Sequence, residues 1–195
     1  MSINAEKTPH HHGKLRAALV DAGIAMLESG ERFSLRAVAR QVGVSQTAPY
    51  RHFPDKAHLE AAMASTGFAT LQHHLEDTLR ATDPGRQVLT DLAATYVRFA
   101  AEHPALYELM FRVSVGEDDV RLPASAEVFA LLERIVAEQY PGADRYGLAS
   151  AGWSMAHGLA TLYLSGQIPE KNPEELEARM AGALSAVLTL PPGAH

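Results

Sequence analysis

Residues 34–56, SLRAVARQVGVSQTAPYRHFPDK, constrain this chain more than any other stretch. They read as two short helices joined by a tight turn. Ser34 suits an N-cap, because its hydroxyl can accept a bond from an otherwise unpaired backbone N–H. Leu35, Val38, Ala39 and Val42 follow at helical spacing and form one apolar face. Gly43 ends the first helix, since it takes the left-handed conformation without a Cβ penalty. Val44 plugs the turn, Ser45 is a second N-cap, and the second helix runs to about His52. Pro54 stops it, and Asp55 can cap the helix that follows. This is a helix-turn-helix pattern. Its apolar face needs a cover, and the preceding helix, residues 12–28, offers Leu15, Ala18, Leu19, Ala22, Ile24, Ala25 and Met26.

The remaining chain continues in helical periods. A long helix from Asp55 carries Leu59, Met63, Phe68, Leu71, Leu75 and Leu79 near one stripe, and Thr82-Asp83-Pro84-Gly85 breaks it. Further helices are expected over 85–102, 105–115, 123–140, 144–165 and 173–188, with an exposed acidic loop at Gly116-Glu117-Asp118-Asp119. Alanine is abundant and β-branched runs are scarce, so the expected fold class is all-α with about nine helices. Residues 1–11 read as a mobile arm, 12–57 as a helix-turn-helix head, 58–190 as a helical body for effector binding and dimerisation, and 191–195 as a tail. No cysteine is present, which excludes disulfides, thiolate metal sites and cysteine nucleophiles. No leader segment is visible, no run approaches the length of a membrane span, and a cytoplasmic location is expected.

A net charge of −6 argues against nucleic acid until it is divided. Residues 1–58 hold 8 Lys/Arg against 5 Asp/Glu, a balance of +3, and the rest of the chain carries −9. A basic head on an acidic body brings the head to phosphate and keeps the body away. In a helix-turn-helix the start of the second helix meets base edges. Those residues here follow Ser45: Gln46, which can bind adenine through two hydrogen bonds, then Thr47 and Ala48, whose methyls suit the thymine methyl. Tyr50, Arg51, His52 and Lys56 are donors placed for phosphates. Free N–H groups at the Ser34 cap can also take a phosphate. Arg36 and Arg40 share a helix face that either reaches the DNA backbone or is solvated. Tyr50 is either a contact or a packed core residue.

The segments HHGKLRAALVDAGIAMLESG, FSLRAVARQVGVS and PYRHFPDKAHLEAAM resemble the DNA-binding region of tetracycline-repressor-type (TetR) regulators over residues 10–63. In the body, WSMAHG at 153–158 resembles the Trp-His-Gly signature of one C-terminal class. The resemblance implies a nine-helix subunit, a homodimer through the last two helices, double-stranded DNA as partner and a small-molecule effector in the body. It also implies DNA contact by Ser34, Arg36, Gln46, Thr47, Tyr50, His52 and Lys56.

Trp153 and His157 lie four apart and share a helix face, and Gly158 permits close approach. Phe99, Tyr107, Met110, Phe111, Trp153, His157 and Tyr163 are candidates to line an effector cavity, or else ordinary core. His157 is a hydrogen-bonded core histidine or a polar ligand contact. The helix 144–165 is apolar nearly all round and the last helix is striped, so two copies could bury both in a symmetric interface. Rival classes are an effector-independent architectural DNA binder and a helical-bundle enzyme. The latter lacks any Glu-x-x-His pair, HExxH or phosphate-binding glycine loop, so no catalytic residue, cofactor or metal is assigned, with His73, His74 and His103 left as open metal candidates.

Overall fold

The computed structural model describes residues 10–82, 88–112 and 119–189. Among the described residues the chain is all-helical, with eight α-helices, one 3-10 turn and no strand. The helices are α1 (His10–Glu28), α2 (Leu35–Val42), α3 (Lys56–Ala81), α4 (Val88–Glu102), α5 (Pro104–Met110), α6 (Arg121–Gln139), α7 (Arg145–Leu164) and α8 (Pro173–Leu188); the 3-10 turn, Ala48–Arg51, stands between α2 and α3. Short polar side chains start several of them, as the sequence predicts for Ser34 and Asp55. Asp55, Asp144 and Asn172 accept the N–H of His58, Gly147 and Glu175 at 3.0, 3.0 and 2.9 Å.

Three expectations need correction. Helix α1 begins at His10, inside the segment expected as an arm; the rest of that arm and the tail fall outside the described residues. The second helix of the helix-turn-helix is a 3-10 turn, and Ser45 does not cap it. Pro49 has no N–H to give to the Ser45 carbonyl, so Ala48 takes that acceptor three residues on, at 2.9 Å, and the chain winds tighter. Asp119 is not part of an exposed loop. It is buried against the Arg121 guanidinium, which also donates to the carbonyls of Leu109 and Arg112 at 3.4 and 3.0 Å. The other three positions of that loop lie outside the described residues.

Helix α1 packs on α2 and α3, forming the head with the 3-10 turn. Helix α3 leaves the head and runs along α4, α5 and α6, while α4 lies against α7 and α8. One apolar core is continuous from Leu19, Val38 and Phe53 in the head, through Met63, Phe68 and Leu71 on α3, to Leu131, Ile135 and Leu176 in the body. Each such side chain contributes about 1.5–3 kcal/mol when fully buried. Gly67 sets how closely α3 and α5 approach. A Cβ there would lie 2.6 Å from Met110 Sδ and 3.2 Å from Leu106 Cγ. The head is therefore tied to the body by packed core rather than by a free linker.

Candidate functional site

The candidate DNA face is built on α2 and the turn after it. Ser34 accepts the Ala37 N–H at 3.2 Å, and Gly43 takes the left-handed conformation at φ 79°. The Gly43 and Val44 N–H groups return to the carbonyls of Arg40 and Ala39 at 3.2 and 2.9 Å, which closes the helix end. Leu35, Val38, Ala39, Pro49 and Phe53 point inward and are buried. Their burial turns the polar neighbours outward: Ser34, Arg36, Arg40, Ser45, Gln46, Thr47, Tyr50 and Arg51 are all exposed. Tyr50, at 49% exposure, is on the surface and not a core tyrosine. The Ser45 and Thr47 hydroxyls sit 3.2 Å apart, so both are held where the turn starts.

Two cations frame this face. Lys56 lies 4.6 Å from the Phe33 ring centroid and 3.4 Å from Glu60, which orders its stem while its side chain stays 54% exposed. Arg16 on α1 covers the Phe53 ring at 5.1 Å. Arg16 is a residue that sequence reading passed over; nothing in the helix period marks which arginine of α1 faces the turn. His52 is half-buried beside Phe53. His58 bonds Asp55 and holds that exposed carboxyl below its ordinary value. From Ser34 to Pro54 no Asp or Glu occurs, so that stretch carries only positive or neutral groups, with Asp55 and Glu60 at its edge beside Lys56.

In the body, α3, α4, α6 and α7 enclose an apolar crevice. Its walls are Leu75, Leu89, Leu92, Ala93, Tyr96, Leu132, Ala149, Gly152, Trp153 and Ala156. About 30 Å³ of it is open to the centre of a water-sized sphere, room for roughly two waters. Behind Tyr96 stands a polar cluster. The Tyr107 hydroxyl lies 2.7 Å from His157 Nδ1, the Tyr96 hydroxyl 3.1 Å from the same nitrogen, and the two hydroxyls are 3.3 Å apart. Phe111 packs on the His157 ring at 4.3 Å. Burial pushes the His157 imidazole below its ordinary value, pushes the Tyr107 phenol up to about 12, and with the Tyr107 hydroxyl raises Tyr96 further. All three groups are therefore neutral near pH 7.

Of the seven body candidates, Trp153 lines the crevice. Tyr107, Phe111 and His157 lie one layer behind it, around Tyr96. Phe99 is buried between His74 and His103, and Met110 is buried against Gly67. Tyr163 is half-buried against the core. Nothing in the sequence singles out Tyr96; only its contact with His157, 61 positions along the chain, marks it out. Among the described residues no three metal-ligating side chains converge, and His73 pairs instead with Asp77 at 3.4 Å.

Helix α5 joins the two regions. Its first turn has no cap of its own, since His103 offers no side-chain bond and Pro104 no N–H. Glu28, the last residue of α1, supplies the cap from the head. Its carboxylate accepts the N–H of Leu106 at 2.9 Å and of Ala105 at 3.4 Å. The next residue on α5 is Tyr107, whose hydroxyl meets His157. Beyond α5, Arg112 reaches Glu60 on α3 at 3.4 Å.

The family description "Bacterial regulatory proteins, tetR family" matches residues 21–63, and "Tetracyclin repressor-like, C-terminal domain" matches residues 89–186. The chain belongs to the TetR family. It is therefore a DNA-binding regulator of transcription and not an enzyme, and the matched segments contain the exposed face on α2 and every lining residue of the crevice except Leu75. An HTH-type transcriptional regulator of Haemophilus influenzae, itself described as uncharacterized, is 27% identical over 176 residues, 86% of this chain and 85% of its own. A solved protein of unknown function from Rhodococcus sp. RHA1 is 30% identical, with a TM-score of 0.75 over 93% of this chain and 98% of that one. A TetR-family transcriptional regulator from Pectobacterium atrosepticum shares the fold at 17% identity, with a TM-score of 0.72 over 93% of this chain and 96% of that one. Among the described residues no helix is long and apolar enough to cross a membrane.

Proposed function

We propose that this TetR-family chain is a ligand-responsive repressor, working in the cytoplasm as a homodimer on palindromic operator DNA and released by a small, mostly apolar effector. Residues 12–57 read the operator and residues 58–190 hold the effector and the second subunit. Ser34, Arg36, Ser45, Gln46, Thr47, Tyr50, Arg51, His52 and Lys56 make the DNA contacts. Gln46 and Thr47 meet bases at the start of the tight turn, and the others fix register on phosphate.

Dimerisation through α7 and α8 is supported by what one subunit leaves uncovered. Helix α7 is apolar nearly all round, yet Ala149, Ala156 and Ala160 are its buried residues. Tyr146, Leu162 and Val187 are 64, 39 and 50% exposed, and a Cβ at Gly158 or Gly182 would meet nothing within 4 Å. Such a face suits a second copy at close range.

The observation that carries the ligand response is the path from crevice to head through α5. The resting crevice admits little more than water, so an effector must part Tyr96 and Trp153 from the leucines opposite. Tyr96 leans on Tyr107, Tyr107 is on α5, and α5 is capped by Glu28 of the head. A shift of α5 thus turns α1, and with α3 it swings the two heads out of groove register. Linkage requires that DNA weaken effector binding by the same factor.

The test is selection of sites from a random DNA pool with the pure protein, followed by operator titration with and without candidate effectors. A palindrome with half-sites about one helical turn (~34–36 Å) or slightly more apart is expected. An unordered pool, or a monomer in sedimentation at micromolar concentration, contradicts the dimeric reader. Effector affinity that ignores saturating operator contradicts the coupling.

A further inference from the structure

The crevice has a chemistry of its own. Among the described residues that line it none is charged, and Tyr96 and Trp153 are the two with polar side-chain atoms. An ion seated among Leu75, Leu89, Leu92 and Leu132 would lose its hydration without gaining a counter-charge, a cost that no contact there repays. The occupant is therefore neutral.

Hydrogen-bond accounting gives its polar group. A neutral imidazole offers one lone pair or one N–H at Nδ1. Tyr107 approaches that nitrogen at 2.7 Å, against 3.5 Å to the His157 carbonyl and 3.3 Å to the Tyr96 oxygen, and so takes that position in either tautomer. Tyr96 is left with the longer options: 3.1 Å to a nitrogen already engaged, or 3.3 Å to the Tyr107 oxygen, beyond the usual range for O–H···O. Its proton is thus the least well accepted of the cluster, and it belongs to a residue that walls the crevice. An acceptor oxygen in the crevice would take that proton on better terms.

We infer that the crevice binds a neutral, apolar molecule bearing a single carbonyl oxygen, and that the Tyr96 hydroxyl donates to that oxygen. The inference rests on the reading of the body as an effector domain. An aryl or alkyl ketone, ester or lactone has this chemistry; a carboxylic acid ionised at neutral pH, or an amine, does not.

Four probes of similar shape test it on the full-length protein: acetophenone, ethylbenzene, benzoate and benzylammonium. Binding is followed by calorimetry and by the indole N–H resonance of Trp153, the single tryptophan. Acetophenone is expected to bind most tightly. Tyr96→Phe should lower its affinity about ten-fold, to the level of ethylbenzene, as the loss of one hydrogen bond implies. Ethylbenzene affinity should not change, which also shows that the variant is folded. Tyr107→Phe, which removes no donor from the crevice wall, should keep the ketone preference. The inference is overturned if either ion binds as well as the ketone, if the ketone preference survives Tyr96→Phe, or if none of the four binds at millimolar concentration. Tyr96-dependent acetophenone binding with no change in operator affinity would sink the effector reading and leave the ligand class standing. A charged molecule that binds the body and releases operator would do the reverse.

Discussion

The groups that make the proposed DNA face are neighbours in the chain, whereas those that make the crevice come from four helices. In the head, Ser34, Gly43 and Pro49 act on their own backbone, and the exposed polar set follows from which apolar residues turn inward. In the body, the decisive contacts are Tyr96 to His157, Tyr107 to His157 and Glu28 to Leu106, separated by 61, 50 and 78 positions. Local physics can fix a reader of a constant object such as DNA. A pocket is fixed only by how helices pack, which leaves it open to change without loss of the fold.

The largest expected effect tests whether the head is separable at all. Phe53 is 2% exposed, under Arg16 and beside the 3-10 turn. Phe53→Ala should cost about 3–5 kcal/mol, the range for losing a core phenylalanine. If head and body are distinct in stability, operator binding is lost while the crevice and its ligand affinity persist in calorimetry. Loss of both in one unfolding step would show that the continuous core makes them a single cooperative unit.

Glu28→Ala is next in size. It leaves two partly buried N–H groups of α5 without their acceptor, for a loss of about 1–3 kcal/mol in urea unfolding. Its sharper use is in combination. If α5 joins the regions, the effects of Glu28→Ala and Tyr107→Phe on operator affinity are non-additive. Additive effects would cut the head from the body at this point.

How much of this was legible in the sequence divides along the same line. The caps at Ser34 and Asp55 and the stop at Gly43 were readable because a cap acts over three or four residues. The expected second helix failed at Pro49, whose missing N–H leaves the Ser45 carbonyl to Ala48 and tightens the turn. In the body, Phe99, Met110 and Tyr96 have similar periodicity, and only packing sends Tyr96 to the crevice and the others into the core. Asp119 looked solvent-exposed among its acidic neighbours because its partner, Arg121, lies two residues on at a helix start. The Glu28 cap had no local signal, since its acceptor role is toward a helix 77 or 78 residues away.

A smaller effect probes the head alone. Ser34→Ala removes the α2 cap and should cost about 1 kcal/mol in thermal or urea unfolding. If Ser34 also touches phosphate, Ser34→Gly, which keeps most of the capping stability, should still weaken operator binding. Equal operator affinity in Ser34→Gly and the parent would confine Ser34 to a structural part.

The smallest effect belongs to the body and turns on sign. Burial lowers the His157 pKa below the ordinary 6.5, so the unfolded chain takes up a proton that the folded chain resists. The contribution of neutral His157 to stability is complete above that ordinary value and is lost as pH falls through it toward the lower folded value. Among the described residues the side chains bonded to or packed on the ring are Tyr96, Tyr107 and Phe111, none of them a carboxylate, so none of these rewards the charged form. Urea unfolding at pH 8 and pH 5 should show a loss for the parent that is smaller in His157→Gln. An equal loss in the variant would mean that the imidazole is already exposed enough to titrate freely, and that the polar cluster behind the crevice is too loose to carry the proposed coupling to the head.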